Sequence, residues 1–549
     1  MNANRNFPHL IFLITIIVTL FASLLSACSP AAPQIVEKAS PIAVQPVLSS
    51  STSAVENEAP APSMPTALPT RVSMPTALPM PTQAPGLLAS PPPPDNFFQN
   101  YGINPFEDPR EDHLSTFALD VDTASYSVAR RYVMDGNLPP ADAVRVEEFV
   151  NYFDAEYPKP SDIAFAIYAD GAPSPYHNDG SYILRFGIQG YDVSEAERKP
   201  ASLTFVIDIS GSMDIENRLG LVKQSLQLLV ERLRPSDTVA IIAYGSEAYV
   251  MLNPTSGEDK QRILDAIYSL RTEGATNAEA GLLLGYQIAY QANRLGAINR
   301  VILCSDGVAN VGATDPDAIL EQVRQYADTG INLTTVGFGM GNFNDVLMEQ
   351  LADNGDGSYA YVDDLDEAEK LFVDDLTSTL QVIAKDAKVQ VDFNPDVVSR
   401  YRLIGYENRA VADQDFRDDS VDAGEIGAGH SATALYAVLL NPGAQGRIAT
   451  VQLRWQDPQG PAVHEINGNF NTWDMASNFE NAAPRYQLAV TVAQYAELLR
   501  FSPWAVGVTI DQVLQHAVRL AGLLPTDAEV TEFTTLVSRA SQIQALMQR

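Results

Sequence analysis

Between about residue 200 and residue 380, short apolar runs alternate with stretches of helical periodicity. Runs of strand length occupy residues 203–207, 238–243, 300–304 and 331–336. Segments with apolar residues three and four positions apart lie between them, at residues 219–233, 259–270, 277–292 and 316–327. Continuous apolar runs are typical of strands buried on both faces. Their alternation with helices predicts an α/β fold with a doubly wound, mostly parallel sheet.

One connection departs from this alternation. Only Tyr244, Gly245 and Ser246 separate the second run from the next apolar segment, residues 247–252. Because a parallel connection needs a crossover of a dozen or more residues, this segment is predicted to be an antiparallel edge strand.

The carboxy-terminal part contains a strand pattern followed by a helix pattern. Residues 389–393, 431–440 and 448–455 alternate or run apolar between Gly and Pro, which predicts antiparallel strands. From residue 484 onward the apolar spacing is helical. We therefore expect a module at residues 381–549 that consists of a β-sandwich followed by helices.

The amino-terminal sequence predicts export and lipidation. Residues 10–25 form an apolar run shorter than the roughly 20 residues of a membrane-spanning helix, which favours a signal peptide at residues 1–27. The run ends at Leu25-Ser26-Ala27-Cys28, which resembles a bacterial lipobox, with Cys28 as the lipidated residue. An uncleaved anchor and an ordinary secretory signal are the alternatives. Residues 28–95 are rich in proline and predict an extended tether.

Composition narrows the class of partner. The formal net charge is −33, which excludes a nucleic-acid binder because phosphate binding requires a basic surface. The hydrophobic fraction of 46% is that of a globular protein. The 2 cysteines, Cys28 and Cys304, exclude a disulfide scaffold, and Cys304 is interpreted as a core residue.

Oxygen-bearing side chains follow the predicted strands at three places. The candidate metal ligands are Asp208, Ser210, Ser212, Thr276 and Asp306. In doubly wound sheets ligands bind at the carboxyl ends of the strands, where the two aspartates can approach one point. Hydroxyl and carboxylate oxygens favour Mg²⁺ or Mn²⁺ over zinc, so we expect one divalent ion. Asp120 and Asp122, in contrast, are interpreted as the end of a strand followed by a capped helix.

These residues resemble the metal-ion-dependent adhesion site of the von Willebrand factor A (VWA) domain, whose pattern is D-x-S-x-S followed by a distant Thr and a distant Asp. The resemblance implies a VWA domain at residues 200–380. The segments 117–126, 144–153 and 401–409 are similar to the flanking modules of YfbK-type bacterial lipoproteins, labelled as calcium-activated chloride-channel homologues. This likeness implies an α+β module at residues 96–199.

The sequence contains no motif of a known catalytic site: H-E-x-x-H, G-x-S-x-G and G-K-[ST] are absent. We expect a binding protein and not an enzyme, with no small-molecule substrate. Its partner is expected to be a protein that presents an Asp or Glu to the metal. The expected location is the cell envelope, with the lipid anchor on the extracytoplasmic side, at the outer membrane or cell surface. An accessory subunit that docks on an envelope enzyme or transporter is the alternative, and an ion channel is not expected.

Overall fold

The computed structural model describes residues 96–161, 163–307, 316–341 and 343–547. The predicted signal peptide, the lipidation site Cys28 and the proline-rich tether lie outside the described residues. These described residues belong to one compact unit. No helix in the described ranges combines the length and the apolar character needed to cross a membrane.

The strands and helices occupy the following ranges. The strands are β1 (Leu114–Ala118), β2 (Phe165–Pro173), β3 (Tyr182–Gly190), β4 (Ala201–Asp208), β5 (Thr238–Tyr244), β6 (Ala248–Ser256), β7 (Ile298–Ser305), β8 (Asn332–Phe338), β9 (Tyr359–Val362), β10 (Val382–Phe393), β11 (Val398–Ile404), β12 (Gly424–Gly427), β13 (Ser431–Leu440), β14 (Arg447–Gln456) and β15 (Val463–Asn471). The α-helices are α1 (Ala124–Met134), α2 (Val146–Asn151), α3 (Arg218–Arg232), α4 (Lys260–Ser269), α5 (Ala278–Gln291), α6 (Pro316–Ala327), α7 (Asp345–Asp353), α8 (Leu365–Glu369), α9 (Leu376–Leu380), α10 (Pro484–Leu499), α11 (Ile510–Leu523) and α12 (Ala528–Met547).

The central sheet has six strands in the order β6-β5-β4-β7-β8-β9. All neighbouring pairs are parallel except β5 and β6, so the short connection at Tyr244–Ser246 does lead into an antiparallel edge strand. Every residue of β4 is buried, because this strand lies between two others and has helices on both faces. The predicted α/β architecture is confirmed.

The segments before and after the central sheet share one β-sandwich. β1 pairs with β10 in a sheet with β14, β15 and β12, while β2 and β3 join β13 and β11 in a second sheet. Their facing side chains form a common core that includes Phe117, Leu184, Val391 and Leu453. The amino-terminal and carboxy-terminal segments therefore share one hydrophobic core. Their strands pair with each other although the α/β unit lies between them in the sequence.

The carboxy-terminal helices pack on the amino-terminal ones. α10 packs against α2 and α12 against α1, while α11 packs on α10 and α12. Tyr495 and Phe533 contact aromatic residues of the amino-terminal segment. The predicted helical tail is thus part of the main body and not an appendage.

The interpretation of Asp120 and Asp122 was wrong in one respect. Helix α1 is preceded by Thr123, whose side chain makes no capping hydrogen bond. Asp122 instead accepts a hydrogen bond from the backbone N–H of Tyr359 at 3.0 Å. Both aspartates also pair with Arg409, at 3.4 and 3.5 Å. These carboxylates hold three parts of the chain together.

Candidate functional site

Asp208 is the last residue of the central strand β4 and is fully buried. One carboxylate oxygen accepts the backbone N–H of Ser210 at 2.8 Å. The other accepts the hydroxyls of Ser305 at 2.9 Å and Tyr244 at 3.3 Å, which lie at the ends of the two neighbouring strands. Burial raises the pKa of Asp208, while the hydrogen bonds from Ser210 oppose this shift. The surrounding groups hold this carboxylate in one orientation.

Ser210 and Ser212 lie in the turn that follows β4. Their Oγ atoms are 3.0 Å apart, within hydrogen-bond distance of each other. Gly211, between them, donates its N–H to the carbonyl oxygen of Gly274 at 3.2 Å. This hydrogen bond joins the turn after β4 to a second loop.

The loop that carries Thr276 is bonded through its backbone to the turn after β4 and to the turn between β5 and β6. The N–H of Glu273 binds the carbonyl of Ile209 at 2.6 Å, and the N–H of Asn277 binds the carbonyl of Gly245 at 2.9 Å. Asn277 also caps α5 by accepting the N–H of Ala280 at 3.1 Å. These bonds on both sides of Thr276 place it at the same edge of the sheet as Asp208.

Asp306 follows β7 directly and is buried. Its Oδ2 accepts a hydrogen bond from Nη1 of Arg218 at 2.6 Å. The same nitrogen reaches the carbonyl oxygen of Ser212 at 3.4 Å, and Nη2 binds the carbonyl of Met340. Arg218 therefore links the loops after β4, β7 and β8.

Arg218 is the site residue that the sequence reasoning missed. It is the first residue of α3, where the helix dipole disfavours a cation. A buried arginine at that position, ten residues after Asp208, has no explanation within the helix itself. An arginine at the start of a predicted helix was therefore the signal in the sequence that could have indicated a carboxylate partner for Arg218.

The donor set consists of oxygen atoms. Within the described ranges, no group of three or more His, Cys, Asp and Glu side chains is arranged to hold a metal ion. The candidate site is not such a group, because three of its five side chains are Ser or Thr hydroxyls and only two are carboxylates. Cys304, one residue before Ser305, is fully buried, and burial raises the pKa of its thiol, as expected of a core residue.

The fold and this loop arrangement define a VWA domain. The model of the von Willebrand factor type A domain matches residues 202–374, and that of von Willebrand factor matches residues 93–184. A domain of this class implies protein–protein interaction or adhesion.

The flanking segments identify the family more closely. The model of the carboxy-terminal domain of uncharacterized protein YfbK matches residues 378–543. Uncharacterized protein YfbK of Escherichia coli (strain K12) is 36% identical over 479 residues, which are 82% of this chain and 82% of that protein. The chain therefore belongs to the YfbK family.

Two further comparisons give more distant likenesses. Inter-alpha-trypsin inhibitor heavy chain H4 of Bos taurus is 28% identical over 218 residues, covering 35% of this chain and 24% of that protein. Among solved structures, a von Willebrand factor type A protein from Catenulispora acidiphila matches with a TM-score of 0.40 and 16% identity, covering 69% of this chain and 90% of that one.

Proposed function

We propose that the chain is a lipid-anchored binding protein of the cell envelope that holds a protein partner at the edge formed by Asp208, Ser210, Ser212, Thr276 and Asp306. A divalent ion, Mg²⁺ or Mn²⁺, is held by these side chains and accepts an Asp or Glu of the partner. Binding, and not catalysis, is the proposed role.

The spacing of the two serine hydroxyls carries the proposal. Neighbouring ligands of an octahedral Mg²⁺ site with bonds of about 2.0–2.1 Å lie about 2.9 Å apart. Ser210 Oγ and Ser212 Oγ are 3.0 Å apart, so they fit adjacent positions of such a shell. The all-oxygen donor set fits the same ions.

Charge around the site supports an acidic partner. Arg218 already neutralises much of the charge of Asp306 through their 2.6 Å contact. With Asp208 as the other carboxylate and hydroxyls as the remaining ligands, a dication keeps part of its positive charge and attracts an anion. The overall charge of −33 otherwise repels such a group, but that repulsion is screened beyond about 8 Å at physiological ionic strength.

The lipobox and the proline-rich segment support the proposed location. Lipidation of Cys28 attaches the chain to a membrane, and a tether of residues 28–95 lets the binding edge reach beyond it. In a Cys28→Ser variant, the amount recovered with membranes should fall sharply. Unchanged membrane recovery would contradict the anchor.

The metal is tested by calorimetric titration of the full-length chain with Mg²⁺ and Mn²⁺. We expect one binding event, weakened at least about tenfold by Ser210→Ala and by Thr276→Ala. Ser256→Ala, at the opposite edge of the same sheet, is the matched control and should bind as the wild type does. Equal binding by all four proteins would overturn the metal assignment.

The partner is tested by recovery from envelope extracts on the immobilised chain. Recovery should require the metal, be lost with a chelator and with Thr276→Ala, and change little between low and moderate salt. A captured protein that survives both the chelator and the substitution would place recognition on another surface.

A further inference from the structure

A cavity lies between the β-sandwich and helix α10, away from the metal edge. It has a volume of about 220 Å³. Apolar side chains of both layers line it, among them Ile183, Leu435, Val490 and Ala493. Pro503, Trp504 and Val506 contribute to its wall as well.

Two buried charged groups line this cavity, Glu497 on α10 and Arg402 on β11, the latter with 4% of its surface exposed. The guanidinium carbon of Arg402 is 5.9 Å from the ring centre of Phe106 and 5.5 Å from that of Trp504. The indole N–H of Trp504 in turn binds the carbonyl of Asn104 at 3.0 Å. The aromatic rings therefore fix the guanidinium in place.

Most hydrogen-bonding capacity of Arg402 is unused by the protein. Nη2 donates to Glu497 at 3.2 Å, but Nε and Nη1 have no hydrogen-bond partner within the described residues. A guanidinium carries five N–H donors, and buried donors are normally paired, so these call for an acceptor. Gln494, which also lines the cavity, leaves its Nε2 equally unpaired.

Glu497 cannot supply that acceptor. Besides Arg402, its two oxygens accept Ser502 Oγ at 2.7 Å and Arg500 Nε at 3.0 Å. Although burial opposes it, Arg402 and Arg500 lower the pKa of Glu497, so it stays ionised. Its oxygens are occupied by these donors, so the unpaired N–H groups of Arg402 and Gln494 have no acceptor among the described residues.

We propose that this cavity is a binding site for a carboxylate attached to an aromatic or aliphatic body, with the carboxylate on Arg402 and Gln494 and the apolar body against Trp504 and the sandwich wall. Carboxylates are the acceptors that guanidinium groups bind most strongly. A free aromatic acid and the carboxy-terminal residue of a peptide present the same chemistry. The site is independent of the metal edge and of the proposed function.

Ligand-observed NMR titration of the full-length chain tests the proposal, with phenylacetate as probe and the neutral phenylacetamide as its counterpart. Phenylacetate should bind about tenfold or more tightly than phenylacetamide, because the amide cannot accept charge-assisted bonds. Equal affinity of the two, or no binding of phenylacetate up to millimolar concentration, would overturn the proposal.

Substitutions locate the binding. Gln494→Leu approximately keeps the side-chain volume and should lower the affinity for phenylacetate several-fold. Arg402→Met should lower this affinity at least about tenfold. Arg417→Met, which removes an exposed arginine paired with Glu465, is the control and should leave binding unchanged. Because Arg402 also contacts Glu497, circular dichroism must show each variant folded, and Gln494→Leu keeps the test decisive if Arg402→Met unfolds. Wild-type affinity in a folded Gln494→Leu and a folded Arg402→Met would place the ligand elsewhere.

A second pair of probes distinguishes the two sources. Acetyl-Gly-Phe with a free carboxylate is titrated in the same way and its affinity is compared with that of phenylacetate, with the carboxyamide of the peptide as the control for the carboxylate. Tighter binding of the acid than of phenylacetate supports a peptide carboxy-terminus as the ligand. Weaker binding supports a small free acid.

Discussion

Glu147, on α2, has a buried carboxylate with a hydrogen-bond partner on one side. Oε2 accepts the backbone N–H of Tyr406 at 2.9 Å, and Oε1 has no partner within the described residues. Burial, together with the nearby carboxylates of Glu407 and Asp120, raises the pKa of Glu147 to about 7. Between about pH 4.5 and pH 7, the folded state therefore favours the protonated carboxyl of Glu147, whereas the unfolded chain favours the ionised one.

Glu147→Gln should stabilise the protein at alkaline pH. A raised folded-state pKa favours the native state at low pH, and this contribution is lost as the pH rises from about 4.5 to about 7. The glutamine keeps an acceptor for Tyr406 and carries no charge. We expect the variant to gain about 1–3 kcal/mol over the wild type at pH 8 relative to pH 5, measured by urea unfolding at both pH values. Glu195→Gln, at an exposed position, is the control and should show no such difference. If the free energy of unfolding of Glu147→Gln changed with pH as that of the wild type does, the raised pKa of Glu147 would be contradicted.

Helix α5 approaches the central sheet through two glycines. A Cβ on Gly281 would lie 2.6 Å from the ring of Tyr244, and one on Gly285 would lie 2.3 Å from Cγ2 of Val206. Val206 is fully buried on β4, and its branched side chain has little rotamer freedom. This close packing sets the distance between α5 and the strand that ends at Asp208.

Gly285→Ala should destabilise the protein even though alanine favours helices. The gain in helix propensity is about 1 kcal/mol, while overpacking a filled core costs about 1–3 kcal/mol. Gly522→Ala is the matched control in α11, where a Cβ meets nothing within 4 Å and a gain in thermal stability is expected. Thermal unfolding followed by circular dichroism measures both. A Gly285→Ala variant as stable as Gly522→Ala would show that α5 can shift away from the sheet.

Across the whole molecule, Arg409 joins segments that are far apart in sequence. Besides Asp120 and Asp122, it contacts Glu349 at 3.3 Å and Asp353 at 2.9 Å, both on α7 of the VWA domain. The amino-terminal segment, the VWA domain and the carboxy-terminal segment thus meet at one guanidinium. Arg145 makes a similar link from the amino-terminal segment to Asp345.

Arg409→Met should lower the stability of the entire compact unit. Removing this cation leaves four carboxylates close together, and loss of one partner of a buried pair costs about 3–5 kcal/mol. We expect a lower urea midpoint when unfolding is followed both by near-ultraviolet and by far-ultraviolet circular dichroism. Arg417→Met should change the midpoint little, because exposed ion pairs contribute about 0–1 kcal/mol. An effect of Arg409→Met as small as that of the control would show that apolar contacts alone couple the three segments.

The sequence alone was sufficient for the α/β architecture of the VWA domain and for the placement of Asp208 and Asp306 at one edge of its sheet. Strands buried on both faces, such as β4 and β7, appear as continuous apolar runs, and a residue directly after such a run must lie at the carboxyl edge of the sheet. Asp208 and Asp306 follow from that rule. The edge strand β6 follows from the length of its connection.

Only the tertiary structure decided which remote segments pair. The single sandwich built by β1, β2 and β3 with the carboxy-terminal strands leaves no local trace, because a strand pattern records the burial of each face and not the identity of the neighbouring strand. The same holds for Arg218 beside Asp306, for Arg409 among its carboxylates and for the cavity at Arg402. A buried charge depends on partners distant in sequence, and those partners are brought together by the packing of the complete chain.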